Sequence, residues 1–332
     1  MKHARFFSIL VFTALALYGA VGFYFLPLAS FTGPLTRMGK IPESLFGWTK
    51  EQPAVNPEYL VNALWQDADV LAIGDSFSIP HLWQSVLVQN GLKVHTETWE
   101  AMRNICGDFP AWLKSKGFKG RYVVIEIVEH NFKDTLNRSV GCKQMDYHAT
   151  VELLVAPPPR LLFRNTTDYS GRFSVGIQTE LHALEYEKLI SEPNFNAWNL
   201  GNNVRMNRIK DGCTLFSHQS CKDALFLADD QADDLGEDVL GRMQVIDDRL
   251  KGYQLTWVIV PNKSTTYLYP EKQFWDKTEK RFHAPNLLKV LRGAVTDRTT
   301  DLYPANETHL STTGYLILGD AIYRNMQASR LY

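Results

Sequence analysis

At 332 residues the chain can bury a sizeable core, and 45% hydrophobic against 21% charged residues is an ordinary globular balance. Thirty-five Lys and Arg against 36 Asp and Glu leave a formal net charge of −1. With no basic stripe interleaved with aromatics, this excludes nucleic acid or an acidic macromolecule as a partner held by bulk electrostatics.

The first segment is different in kind. Lys2, His3 and Arg5 precede a charge-free run from Phe6 to Leu28, longer than the about 20 apolar residues that span a bilayer as a helix. A secretory h-region is shorter, at about 7–15 residues. Small residues at Gly19 and Ala20 offer a cleavage site, but Phe23, Phe25 and Leu28 continue the apolar run past them. The expectation is an uncleaved signal anchor over 6–28 with a cytoplasmic tail at 1–5; a cleaved signal peptide is the alternative. Either reading sends residues 30–332 out of the cytoplasm, because the positive flank stays inside. Residues 29–60, with Pro34, Pro42, Pro53 and Pro57, read as a stalk or irregular lead-in.

From there, apolar strand-like runs recur at Asp69–Ile73, Lys93–Thr98, Tyr122–Val128 and Leu255–Val260. Helical patterns lie between and after them, at Pro80–Gln89, Ala111–Lys116, Asp234–Lys251 and Leu316–Met326. Apolar strands alternating with helices predict a parallel sheet covered on both faces. Residues 141–227 break the rhythm with Pro157-Pro158-Pro159 and many polar positions. They read as an insertion or cap, with a short helix around Thr179–Ser191. The four cysteines fit an oxidising compartment. They allow three pairings, of which the pairing of neighbours, Cys106–Cys142 and Cys213–Cys221, is expected. No ligand cluster has metal-site spacing, and neither a metal nor a cofactor is expected.

Two stretches carry candidate chemistry. In Val70-Leu71-Ala72-Ile73-Gly74-Asp75-Ser76 an apolar strand breaks at a glycine, and a helix is predicted to come next. That places Ser76 at the carboxyl end of a strand, where α/β folds set reacting groups, and at a helix start whose N–H groups favour an oxyanion. Near the other end, His309 sits in a polar loop before a helix. A neutral imidazole there can take the Ser76 proton as the hydroxyl attacks a carbonyl, and return it to the leaving group. Glu307, two residues earlier, would orient the ring, with Asp301 in reserve. Loops leaving the second and third strands face the same crevice. They supply Asn104, Gly107 and Asn131 as oxyanion donors, and Arg103 to hold a substrate carboxylate or to pair with Glu129. Asp75 caps the helix start or braces the loop. His130 and His81 offer a second base, against a default of packing or surface roles, and Lys263 reads as a loop tie. Trp83, Trp99 and Trp257 offer a sugar-stacking platform, against a default of core packing.

These residues carry a family resemblance. Gly74-Asp75-Ser76 resembles the first block of the SGNH (GDSL-type) hydrolase superfamily, and His309 resembles its last. Within it, the chain is similar to the periplasmic enzymes that O-acetylate exopolysaccharides, the alginate acetyltransferase type. Glu307-Thr308-His309-Leu310-Ser311-Thr312-Thr313-Gly314 resembles their Asp-x-His-Trp-Ser-x-x-Gly motif, and Val258-Ile259-Val260-Pro261-Asn262-Lys263 through Tyr267 resembles their Pro-x-Lys strand end. The chain departs from them in placing this motif after Gly-Asp-Ser, with Glu for Asp and Leu for Trp. The acid of ordinary hydrolases, three residues before the histidine, falls on Asn306.

The resemblance implies a three-layer flavodoxin-like α/β fold over 61–332. It implies an acyl-enzyme on Ser76 and O-acetylation of a cell-surface or exported polysaccharide. It further implies a location on the inner membrane with the catalytic domain in the periplasm, and a membrane acyltransferase partner that supplies the acyl donor. The alternatives are a carbohydrate esterase of the same fold and a non-catalytic carbohydrate-binding assembly protein.

Overall fold

The computed structural model describes residues 2–149, 169, 172–230, 235–270 and 272–328. In chain order the elements are α1 (Lys2–Phe25), α2 (Pro34–Gly39), α3 (Glu43–Phe46), β1 (Val70–Gly74), α4 (Leu82–Gln89), β2 (Val94–Thr98), α5 (Trp99–Met102), α6 (Phe109–Ser115), β3 (Tyr122–Val128) and α7 (Glu129–Gly141). They continue with α8 (Phe173–Ile190), β4 (Ala197–Gly201), β5 (Val204–Arg208), α9 (Gly212–Leu215), β6 (Asp223–Leu227), α10 (Glu237–Arg249) and β7 (Gln254–Val260). Helices α11 (Lys263–Tyr267), α12 (Phe274–Phe282), α13 (Leu287–Thr296) and α14 (Thr312–Ala328) close the order. The Pro157-Pro158-Pro159 run and Asp234 lie outside the described residues. The chain divides into two compact units.

The second unit, Glu51–Arg160, Asp230–Tyr303 and His309–Tyr332, holds the predicted parallel sheet, in the order β2-β1-β3-β7. Ile73 pairs with Glu97 on one side and Ile125 on the other, and Ile125 with Trp257. Val70, Leu71, Ala72 and Ile73 are all buried, as are the seven residues of β3. A strand covered on both faces has no solvent side to alternate with, so it reads as a continuous apolar run. Helix α14 packs against both α4 and α13, and α7 packs against α10. Helix α14 crosses α4 so closely that a Cβ on Gly319 would lie 2.4 Å from the Trp83 carbonyl oxygen. Trp83 and Trp257 are fully buried core residues, in line with their default reading, so their ring faces are spent on packing and not on a sugar.

Several boundaries differ from the sequence reading. Helix α4 starts at Leu82, two residues later than expected, because residues 76–80 form a turn and His81 takes a left-handed φ of 53°. Helix α14 starts at Thr312, earlier than expected. Ser311 Oγ accepts the Gly314 N–H at 3.3 Å, so Gly314 lies inside a capped first turn.

The first unit comprises Met1–Lys50, Leu161–Asp229 and Pro304–Thr308. It begins with α1; the His3–Ala29 stretch, which contains an 18-residue window of mean hydropathy 2.1, is long and apolar enough to cross a membrane. Residues 29–50 are ordered around a buried carboxylate. Glu43 accepts the Gly33 N–H at 3.3 Å together with hydrogen bonds from Thr32 Oγ1, Thr36 Oγ1 and Asn306 Nδ2. This unit also carries an antiparallel sheet, β4-β5-β6, that the sequence reading missed. Its hairpin turns on Gly201, Asn202 and Asn203, all at positive φ. Glycine and asparagine are the residues that tolerate this backbone, so that run was the available signal. Helix α8 spans the expected Thr179–Ser191 segment and begins earlier. Its Tyr186 hydroxyl donates to the buried Asp223 at 2.9 Å, and Asp223 also holds Arg208.

The disulfides are Cys106–Cys142 in the second unit and Cys213–Cys221 in the first, the pairing of neighbours. The apolar N-terminal helix and two disulfides fit a single-pass membrane or exported protein.

Candidate active site

Strand β1 ends at Gly74, and the chain turns so tightly there that no side chain fits: a Cβ would lie 2.0 Å from Ser78 Oγ and 2.6 Å from Glu126 Oε2. The Asp75 carboxylate ties this turn to the adjacent strand. Its Oδ1 accepts the Phe77 N–H at 3.0 Å and its Oδ2 the Val128 N–H at 2.7 Å. Of the two roles expected of it, capping the helix start or bracing the loop, this is bracing. Ser76 is left exposed at the tip, at the carboxyl edge of the sheet between β1 and β3. From β1 the strand order runs outward in opposite directions, to β2 and to β3, and a crevice opens at such a point.

His309 Nε2 stands 2.8 Å from Ser76 Oγ. The imidazole lies against Phe77, ring centroids 4.8 Å apart, and Phe77 is itself packed on Tyr303 and Tyr315. The loop returning to His309 is fixed by Ser311 N–H donating to Leu302 O at 3.0 Å. The first turn of α14 is held by Gln52 Oε1, which accepts from Thr313 N and Oγ1 at 3.1 and 3.0 Å. Serine and histidine thus meet at hydrogen-bond distance, with the ring's position set by packing. This is the geometry proton transfer from a nucleophilic hydroxyl requires.

The supporting residues divide. Ser76 N–H makes no hydrogen bond among the described residues and is open to an oxyanion. The later start of α4 removes the expected helix N-terminus from Ser76, so that N–H stands without a helix end behind it. Gly107 is not a donor: its N–H is bonded to Cys142 O at 3.2 Å. Arg103 does not pair with Glu129. It forms an exposed ion pair with Asp146 at 2.7 Å, while Glu129 is buried with Lys272 and the Asn262 N–H. Arg103 has φ 57° and ψ −59°, and Asn104 N–H reaches back to Met102 O at 2.6 Å. This γ-turn is a strained backbone conformation. It turns Asn104 so that its Oδ1 is buried with no partner among the described residues. Asn131 lies exposed in the first turn of α7.

Glu307 belongs to the Pro304–Thr308 segment of the first unit, where its Oε1 accepts Thr308 N–H at 2.9 Å and Thr308 Oγ1–H at 3.3 Å. Asn306 is committed to structure there, with its amide on Glu43 and its carbonyl accepting Leu35 N–H at 3.1 Å. Asp301 is fully buried at φ 55°.

Glu126 went unrecognised in the sequence, and the partners of His130 were not foreseen. Glu126 is fully buried beneath the Ser76 turn. Burial first, and the Asp75 charge second, hold its carboxyl well above the usual carboxylate range. His130, whose default reading is a packing or surface role, has Nδ1 2.8 Å from Asn262 Oδ1 and 3.0 Å from Asp230 Oδ1. Partial burial disfavours its cation, but the Asp230 hydrogen bond and charge outweigh that and raise its pKa to about 9. Glu126 carried a signal, as a lone carboxylate inside an apolar strand. His130 carried none, because its partners come from distant segments. Comparison with protein-family models, with curated proteins and with solved structures finds no match for this chain.

Proposed function

We propose that the chain is a serine-dependent acyltransferase of the SGNH type that O-acetylates an exported polysaccharide from the periplasmic side of the inner membrane. The observation that carries this reading is the 2.8 Å approach of His309 Nε2 to Ser76 Oγ at the carboxyl edge of a parallel sheet. His309 removes the hydroxyl proton as Ser76 attacks the acyl carbonyl. The oxyanion forms against the Ser76 N–H, with Asn104 and Asn131 as further donors, and the imidazolium returns the proton to the leaving group. A sugar hydroxyl, deprotonated by the same imidazole, then takes the acyl group and regenerates the serine. Glu307 is the acid assigned to orient the ring. A membrane acyltransferase would supply the acyl donor on the side to which the N-terminal anchor delivers the domain.

The exposure of Ser76 favours a second reading, carbohydrate esterase, because water reaches an open acyl-enzyme. Incubation with a chromogenic acetyl ester, with and without oligosaccharide, separates the two. Acetylated sugar supports transfer, and free acetate alone supports the esterase. Failure of a serine-directed phosphonate to label Ser76 would remove both.

A further inference from the structure

Glu126 is the single ionisable side chain pointing inward from the centre of the apolar strand β3, and it is 0% exposed. Its Oε2 accepts the Asp75 N–H at 3.0 Å and the Ser78 Oγ–H at 2.8 Å. Ser78 Oγ in turn accepts Trp83 Nε1–H at 3.0 Å. These contacts grip the chain on both sides of Ser76. Glu126 Oε1 has no partner among the described residues, and the missing Cβ of Gly74 leaves the carboxyl directly under the turn. No cation is bonded to Glu126 among the described residues. The charged group acting on it is Asp75, whereas Ser78, Trp83 and Trp99, which donates to its backbone carbonyl, are neutral.

We infer that Glu126 is a positioning residue for the nucleophile, a buried carboxylic acid that fixes the Asp75–Ser78 turn and so aims the Ser76 hydroxyl and N–H. This rests on the acyl-transfer reading of Ser76 and His309. The physical reason for an uncharged group here is local. An ionised Glu126 would set a second carboxylate beside Asp75, beneath the point where negative charge develops on the substrate oxygen. That would raise the barrier that the oxyanion donors lower. Glutamine keeps the accepting oxygen and places an amide where Oε1 stands. It therefore preserves the grip and cannot ionise.

The test uses the full chain in detergent with p-nitrophenyl acetate. Glu126→Gln is expected to keep kcat within about threefold at neutral pH and to hold its rate to higher pH than the native protein. Glu126→Ala is expected to lose about tenfold or more in kcat with little change in KM. Equal activity of both variants with the native pH profile overturns the inference, and so does a Glu126→Gln variant as impaired as Glu126→Ala. Where Glu126→Ala does not fold, the pH profile of Glu126→Gln decides. If Ser76→Ala turns over the ester as the native protein does, the acyl-transfer reading itself has failed. The native-minus-Glu126→Gln infrared difference spectrum then remains as an independent check. A protonated-carboxyl carbonyl band at neutral pH supports the inference, and its absence overturns it.

Discussion

Ser76 Oγ and His309 Nε2 lie 2.8 Å apart although 233 positions separate them in the chain. One comes from the end of β1 and the other from the loop entering α14. The two elements are joined through Phe77, whose ring backs His309, and through α4 packed on α14. If this pair performs proton transfer, Ser76→Ala and His309→Gln each lower ester hydrolysis by at least about 10³-fold, and the double variant is no worse than either single. Additive losses in the double variant would mean that the two side chains do not act as one unit.

A base of this kind needs a carboxylate to hold its tautomer. With Asn306 bonded to Glu43, the position three residues before His309 supplies no charge. The prediction is that Glu307→Gln lowers kcat by about 10²-fold or more while phosphonate labelling of Ser76 slows in parallel. A full-rate Glu307→Gln together with an impaired Asp301→Asn would move the role to Asp301.

How much of this was legible in the sequence depends on where the information sits. Strands β1, β3 and β7 were readable because burial on both faces makes a mostly apolar run, interrupted in β3 by Glu126 and in β7 by Thr256. Ser76 and His309 were readable because each lies a fixed short spacing from a regular element. The antiparallel sheet was not found, since β4 and β5 each have an open side and all three strands lie in a segment read as a cap. The Gly107 assignment failed because a loop glycine near the site can spend its N–H elsewhere, here on Cys142, and only coordinates reveal that. The His130–Asp230 contact joins the start of α7 to a residue three positions past the end of β6, with no local pattern to announce it.

The Cys106–Cys142 bridge fixes the loop carrying Arg103 and Asn104 to the end of α7, closing residues 36 apart in sequence. The closed loop restricts the unfolded chain by about 4 kcal/mol in the chain-entropy picture. Cys106→Ser with Cys142→Ser should therefore lower the urea midpoint markedly. Since Arg249 still donates to Ile105 O, Ser139 O and Val140 O, the loop keeps part of its anchorage and the folded state survives. An unchanged midpoint would show that those bonds alone hold the segment.

His130 offers a stability signature with a defined sign. Its pKa is raised from 6.5 to about 9 by Asp230, against the opposing effect of partial burial. A raised folded pKa means that the ion pair contributes fully below pH 6.5 and that the contribution fades as pH climbs through about 9. The side chain is 38% exposed, so solvent screening keeps the effect modest. Urea unfolding of the native protein and of His130→Gln should show a gap in midpoint at about pH 6 that closes by about pH 10. Since the Asp75 charge also acts on His130, Asp230→Asn should narrow the gap without abolishing it. A gap that stays constant across this range would mean that packing against Asn262, and not charge, is what the imidazole contributes.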